Sequence, residues 1–286
     1  ISINDPNNET SITWLTNNID VNPVFTDSVN GDYHLSDLSP AIGAGTASIT
    51  IDDVTYTAPT TDLDGNPRPN PAGTVPDMGA YESDKGVDPN YAGPVWYVDG
   101  PAGLPYGNGG PGAPFTTIQA GIDASSSGDT ISVKAGTYLE NINYNGKNIA
   151  VIGEDRETTI IDGNQNGSVV NIANNETNAF LSGFTITNGT AAYGGGINCT
   201  GTDATITNVI VENNLATSHG GGVVSYGGGS ILNISDSYIR NNICNNCGGG
   251  GASVNNGGAT LNLSNVIINN NTGNVGGGVF CEGGAF

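Results

Sequence analysis

A glycine triplet recurs along the second half of the chain at an almost constant interval. The residues that follow successive triplets are 26, 29 and 27 positions apart. Self-similarity at a fixed period of this size is typical of a solenoid, in which each repeat forms one coil that stacks on the next. The four triplets, each with the residue that follows it, are Gly194–Ile197, Gly220–Val223, Gly249–Ala252 and Gly276–Val279.

The segments between the triplets carry short strands with alternating apolar residues and many β-branched side chains, and no helical period is sustained. A strand that points the same way once per coil must pair parallel with its copy, at about 4.8 Å. The sequence therefore predicts an all-β parallel β-helix, with a bend before Phe184. The predicted inward columns are Ile186–Val211–Ile239–Ile268 and Ile197–Val223–Ala252–Val279.

Two further columns are predicted at the corners of the coils. Asn tolerates left-handed backbone angles, and stacked Asn amides can bond coil to coil, so a ladder is expected at one corner. The alternative is that these Asn are ordinary loop residues. The last glycine of each triplet is expected where a turn needs positive φ or close backbone approach. The structural residues so predicted are Asn188, Asn213, Asn241, Asn270, Gly196, Gly222, Gly251 and Gly278.

The composition limits the partners and the compartment. The chain has 27 acidic and 6 basic residues, a net charge of −21, which disfavours nucleic acid and anionic membranes as partners. Only 12% of residues are charged, a composition that suggests an extracellular surface. No apolar run of 18 residues occurs, so no membrane span is expected. The chain opens at Ile1 without a signal sequence, as a mature or excerpted chain would.

The four cysteines give a geometric expectation. Cys199 and Cys281 hold the same coil position three coils apart, which is about 14 Å and beyond the roughly 7 Å limit for a disulfide. Both are expected to be buried free thiols. Cys244 and Cys247 share one loop and are predicted to form a disulfide, with free thiols or a metal site as the alternatives.

Before the repeats, the chain has two different regions. Residues 1–83 are Pro-rich with fragments of strand pattern, and residues 84–94 are predicted to be a linker. A new domain is then expected over 95–286. Within it, Phe115, Ile118 and Ile122 lie on one face of a predicted helix near 115–123, which would cover the open end of the first coil.

Two motif sets resemble a known fold family. Segments 96–99, 114–123, 128–131 and 135–138 resemble the opening of bacterial right-handed parallel β-helix proteins of the pectate-lyase-like superfamily. Segments 30–35, 39–45, 62–68 and 77–82 resemble the segment that closes such β-helices in large secreted and surface proteins. The resemblance implies a right-handed β-helix, and the order implies a junction at which one module closes and the next opens. Because the chain stops at Phe286 within a coil, head-to-tail joining is expected.

The family resemblance raises enzyme activity as a hypothesis. A lyase would need a basic residue such as Lys147 or Arg240, but an ordinary turn and a cross-coil ion pair with Glu212 account for these two. A hydrolase would need two paired carboxylates, and no paired motif occurs. His219 faintly resembles part of a polygalacturonase motif whose companion motifs are missing, and corner packing is the favoured interpretation.

Calcium is the only cofactor that the sequence suggests. Asp62, Asp64 and Asn66 offer oxygen ligands on alternate residues, which suits a hard cation. The pattern lacks a later bidentate Glu, and the alternative is that these groups fold the closing segment, with Arg68 paired to Asp64 or Asp77.

Three functions remain open from the sequence. The favoured one is an extracellular or cell-surface structural protein, a β-helix rod that stacks on copies of itself or on adjacent modules. The second is a carbohydrate-binding or adhesive module that would use the loop 106–114 or exposed aromatic residues. The third is a polysaccharide lyase or hydrolase. The aromatic candidates for the second function are Tyr144, Tyr226 and Tyr238.

Overall fold

The computed structural model describes residues 22–37, 39–100, 103, 107–255 and 258–283. Residues 1–21, Tyr106 and Phe286, which figured in the predictions, lie outside the described residues. The chain divides into two compact units, Ile1–Val87 and Asp88–Phe286. The boundary falls within 84–94, whose role as a linker between modules stays a prediction.

Over residues 22–37 and 39–87, the first unit contains two small antiparallel pairs of strands. A 3₁₀ turn at Ser28–Asn30 connects the first pair, and its cap, Asp27, accepts a hydrogen bond from the Asn30 amide. The strands are β1 (Phe25–Asp27), β2 (Asp32–Leu35), β3 (Ser48–Ile51) and β4 (Val54–Thr57).

The second unit is a parallel β-helix, as the glycine period predicts. Every ladder between its strands is parallel, and three sheets of eleven, six and four strands run along it. The strands are β5 (Val95–Val98), β6 (Thr130–Val133), β7 (Gly136–Leu139), β8 (Ile142–Asn143), β9 (Ala150–Gly153), β10 (Thr159–Asp162), β11 (Val170–Ile172), β12 (Ala179–Ser182), β13 (Thr185–Thr187), β14 (Thr190–Tyr193), β15 (Ile197–Thr200), β16 (Ala204–Thr207), β17 (Ile210–Glu212), β18 (Leu215–His219), β19 (Val223–Tyr226), β20 (Ile231–Arg240), β21 (Ile243–Gly248), β22 (Ala252–Asn255), β23 (Thr260–Asn269), β24 (Thr272–Val275) and β25 (Val279–Glu282).

The eleven-stranded sheet is bent along its length, as expected before Phe184. In the earlier coils the bend separates two strands, such as β12 and β13, whereas β20 and β23 run through it. One residue per coil adopts positive φ at the bend, which Gly, Asn and Asp tolerate best. These residues are Gly183, Asn208, Asp236 and Asn265.

The two predicted columns form part of the core of the second unit. Ile186 pairs with Val211, Val211 with Ile239, and Ile239 with Ile268. The column that starts at Ile197 keeps its predicted register through Val279. These side chains are buried in the earlier coils, so each coil completes its core only against its neighbours.

A short helix, α1 (Ile118–Ala124), covers the first coil. Thr117 caps it by accepting a hydrogen bond from the Ala120 amide, and Ile118 and Ile122 are fully buried against the first strands. Phe115 was predicted on the helix face, but it precedes the helix and bridges to Val98. Among the described residues, no helix is long and apolar enough to cross a membrane.

Glycine was expected in the triplets for positive φ or for close backbone approach, and these two reasons apply at different positions of the triplet. The first glycine of each triplet has positive φ, between 56° and 73°. The third lies against the next coil: a Cβ on Gly251 would come within 2.6 Å of the Gly278 carbonyl oxygen and 2.9 Å of Asn271 Nδ2. Glycine is therefore needed at the third position by close approach and not by φ.

We expect Gly251→Ala to lower the free energy of unfolding by about 1–3 kcal/mol, because the added methyl overpacks the gap between two coils. Gly278→Ala is the matched control in the unassembled chain, since within the chain its Cβ would meet nothing closer than 3.6 Å. Urea unfolding followed by circular dichroism measures both, and equal destabilisation by the two variants would contradict the close-approach argument.

Candidate functional site

The predicted Asn corner has the expected backbone but not the expected ladder. Asn188, Asn213, Asn241 and Asn270 all adopt left-handed angles, with φ between 53° and 58°. The amide-to-amide bonds between coils run instead through Asn214, Asn242 and Asn271, which follow the last three of them, whereas Asn188 is followed by Gly189 and donates to Asp162 Oδ2 at 2.9 Å. The left-handed residue turns the chain, which directs the next side chain inward.

An amide ladder therefore joins the buried Asn214 and Asn242 to the half-buried Asn271. Asn214 Nδ2 donates to Asn242 Oδ1 at 3.0 Å, and Asn242 Nδ2 donates to Asn271 Oδ1 at 3.0 Å. The Asn242 side chain also accepts from the Asn214 backbone amide and donates to the Val211 carbonyl. Asn242 is fully buried, and both of its amide hydrogens and its oxygen are satisfied. The sequence signal was the Asn–Asn pair at three of the four corners, where the prediction took the first member of each pair.

Asn242→Ala should lower the free energy of unfolding by about 2–3 kcal/mol, because it leaves buried groups of Asn214 and Val211 without partners. Asn241→Gly is the control: glycine accepts the same left-handed angles, so a change below about 0.5 kcal/mol is expected. Guanidinium unfolding compares the two. A larger effect at position 241 would place the inter-coil bonds in the column first predicted.

The cysteines divide into a pair and two free thiols. Cys244 and Cys247 form a disulfide, with their Cα atoms 5.3 Å apart. Cys199 and Cys281 are free and share one column, as their spacing implied. Cys199 is buried, and this burial raises the pKa of its thiol well above the ordinary range. Cys281 is only half-buried, so the expectation that both thiols are buried is wrong for Cys281.

His219 lies in a stack of rings at the triplet corner. Its imidazole is 5.6 Å from the Tyr193 ring and 6.5 Å from the Phe280 ring, with interplanar angles of 27° and 11°. Asn255 Nδ2 lies 3.0 Å from its Nε2 atom, and Tyr226 lies against Tyr193. The rings cover one another's faces, which accords with the packing role favoured for His219.

The other aromatic candidates are also engaged. Tyr144 is fully buried and donates to the Phe180 carbonyl, so its selection as an exposed residue is wrong; alternation from Ile142 directs it inward. The Arg156 guanidinium lies 4.9 Å from the centre of the Tyr238 ring. Arg156 also donates to the Asp236 carbonyl, three coils away from its own position.

The remaining basic side chains of this unit join successive layers. Arg240 pairs with Glu212 of the preceding coil at 2.6 Å, as predicted. Lys134 pairs with Glu154 at 3.0 Å. Lys147 was expected in an ordinary surface turn, but its Nζ donates to the carbonyls of Ile122, Asp123 and Ser125. It thereby ties a coil to the end of α1, where a positive charge is favourable.

In the first unit, the residues proposed for calcium form a network of their own. The Asp62 carboxylate accepts backbone hydrogen bonds from Asp64, Asn66 and Glu82. Burial acts to raise the pKa of Asp62, but these bonds outweigh it and hold it at about 2. Asp64 contacts His34 Nε2 at 2.7 Å, and this bond raises the pKa of His34. Calcium binding stays a hypothesis from the sequence pattern.

Arg68 takes a different partner from those predicted. Its Nε lies 3.0 Å from the buried carboxylate of Glu82, and its charge acts on Asp77 only through space, opposing the rise in the pKa of Asp77. Asp77 is also buried and accepts bonds from the Gly43 and Ser83 amides. Burial nevertheless dominates and raises the pKa of Asp77 to about 6, and the Glu82 charge adds to the effect.

The two carboxyls should titrate far apart. Since Asp77 binds its proton more tightly in the folded state than at the ordinary pKa of 3.8, its contribution to stability falls as pH rises from about 4 to 6. The contribution of Asp62 is present above pH 4 and is lost as pH falls toward 2. Carboxyl ¹³C NMR should show an inflection near 6 that Asp77→Asn removes; an Asp77 inflection near 4 would contradict the burial argument.

The described part of the chain brings no three His, Cys, Asp or Glu side chains together as a metal site. The ion pairs and amide bonds described above instead link layers of the second unit, and those of the first unit join its loops. The arrangement satisfies polar groups mainly along the stacking axis, and the exceptions among the described residues of the stack are the buried hydroxyls of Ser225 and Ser253.

A comparison with protein-family models finds no match, and a comparison with curated proteins also finds none. Among solved structures, a pectin methylesterase from carrot is similar, with 17% sequence identity and a TM-score of 0.36. The similarity covers 60% of this chain and 64% of that chain, so this chain spans less than two thirds of that structure. The fold assignment rests on the strand pairing described above.

Proposed function

We propose that the protein is an extracellular structural element, a β-helix rod whose role is to hold a stack of coils in line. The proposal rests on one observation, which is the set of partners that the basic side chains bind. All four Lys and Arg residues of the second unit bond across layers of the stack: Lys134, Lys147, Arg156 and Arg240.

The electrostatic logic supports this role. The chain has a net charge of −21 and therefore few positive side chains. If these side chains belonged to a binding or catalytic site, they would be expected to face a ligand. Here Arg156 crosses three coils and Arg240 meets the carboxylate of its neighbour. A partly exposed pair such as the latter contributes only about 0–1 kcal/mol, so it accompanies the register that the apolar columns set, and it leaves neither charge free for a ligand.

The aromatic residues support the same choice over carbohydrate binding. A ring that stacks on a sugar must offer a free face, whereas His219 is flanked by Tyr193 and Phe280 and the Tyr238 ring carries Arg156. Lyase or hydrolase activity likewise gains no support from Lys147 and Arg240, which are engaged in bonds to the helix end and to Glu212.

The repeated pattern also suggests how a rod is extended. Each coil presents backbone groups and apolar columns to the next in one constant register. Further coils, from an adjacent module or from a second copy, can therefore pair by the same rule. We propose that residues 1–83 close one module and residues 95–286 open the next, in an extracellular setting that favours the Cys244–Cys247 disulfide.

Negative-stain electron microscopy of the purified protein, with its denatured mass, tests the proposal. Filaments built from a 28.9 kDa chain are the expected result, since stacked coils pair by one rule. Discrete particles that do not assemble, together with binding or cleavage of an acidic polysaccharide, would reject the structural role. Arg156→Ala should shorten the filaments, and Lys85→Ala, in the first unit, is the matched loss of one charge.

A further inference from the structure

The coils of the corner sheet of β14, β18, β21 and β24 differ in length, and the ladders of β18 and β21 both shift register there. Between the left-handed Asn and the glycine triplet, the four coils have five, six, seven and five residues. The longest segment belongs to β21 and holds both disulfide cysteines. A sheet with parallel register can accept extra residues only by bulging one strand.

The pairing shows where the extra residues go. Cys244 pairs with Ala216 on one side and with Gly273 on the other, and the next paired residue of β21 is Gly248. Residues 245–247 are left outside the ladder, and Asn246 has a φ of +59°. The disulfide joins the two ends of this bulge, because Cys244 is its last paired residue and Cys247 directly precedes Gly248.

Gly248 connects the bulge to the ring stack. A Cβ on Gly248 would come within 2.5 Å of the Phe280 ring, so the ring occupies the space that a side chain would fill. Gly248 also pairs directly with His219 and with Val275. The positions of the His219 and Phe280 rings therefore depend on where the bulge places Gly248.

The disulfide lies where it can be reduced while the apolar core stays packed. Cys244 is buried, whereas Cys247 is only partly buried, so attack by a small reductant is expected at the Cys247 sulfur. The cross-link spans three residues, and such a short loop constrains the unfolded chain less than a long one. Its constraint is local, and the Asn ladder and apolar columns do not pass through it.

We propose that the Cys244–Cys247 disulfide is a redox-sensitive clamp that holds the bulge and thereby the ring stack at this corner. A thiolate of a dithiol reductant attacks the Cys247 sulfur, the sulfur–sulfur bond breaks, and Cys244 leaves and takes a proton. The second thiol of the reductant then displaces Cys247, which also takes a proton. The reductant ends as a disulfide, having lost two electrons that the two cysteines gain.

This inference goes beyond the structural role and does not depend on it. With the clamp open, residues 245–247 regain freedom, Gly248 loses its fixed position, and the His219 and Phe280 rings separate. The coils remain stacked through their other two sheets. The reduced corner is therefore a locally mobile surface on an intact β-helix.

Hydrogen exchange with mass spectrometry, with and without dithiothreitol, tests the clamp on the full chain. Reduction should raise exchange on the order of tenfold in segments 243–249 and 272–280, leave segment 197–211 unchanged, and be reversed by reoxidation. Cys244→Ser with Cys247→Ser should show the fast exchange without reductant and no response to it, whereas Cys199→Ser should behave as the parent protein.

Three results would overturn the clamp. One is unchanged exchange at the corner after the mass has risen by the two hydrogens of reduction. The second is a rise that spreads evenly over the β-helix, which would make the disulfide a global support. The third is a parent protein, purified under oxidising conditions, whose mass shows both thiols free.

Discussion

The constraint on which the rest depends is that the polar groups of each coil can be satisfied only along the stacking axis. A coil has no partner within itself for its strands, so its backbone amides and carbonyls bond to the coils before and after it. The Asn214–Asn242–Asn271 ladder extends this rule to side chains. A one-residue slip would turn every apolar side chain outward and leave the ladder unpaired, and register is fixed for that reason.

The period and the alternation of side chains made most of the fold predictable. They gave the parallel ladders, both core columns and the bend, because these follow from spacing alone. The capping helix was predicted from its apolar face. Phe115 was wrongly included in it, because the sequence pattern does not show that this residue, which precedes the cap Thr117, pairs with Val98.

The candidate site was less predictable, because choosing between neighbours needs coordinates. The Asn corner was found, yet the ladder lies one residue later, since the left-handed residue turns the following side chain inward. Arg68 was predicted to pair with Asp64 or Asp77, but its partner is Glu82. Separation along the chain does not show which carboxylate the fold places beside it. The alternation of side chains from Ile142 could have shown that Tyr144 points inward and is not an exposed aromatic residue. Nothing in the sequence, by contrast, indicates that Lys147 reaches the end of α1.

The measurement that tests the stacking register most directly is a pair of engineered cross-links in a Cys281→Ser background. Thr205 and Asn233 face each other on adjacent coils, at about 4.8 Å, so Thr205→Cys with Asn233→Cys should form a disulfide under mild oxidation. Thr205→Cys with Ser235→Cys is offset by two residues, roughly 8 Å and beyond disulfide reach, and should remain reduced. Cross-linking of the offset pair in preference to the facing pair would contradict the register and the fold built on it.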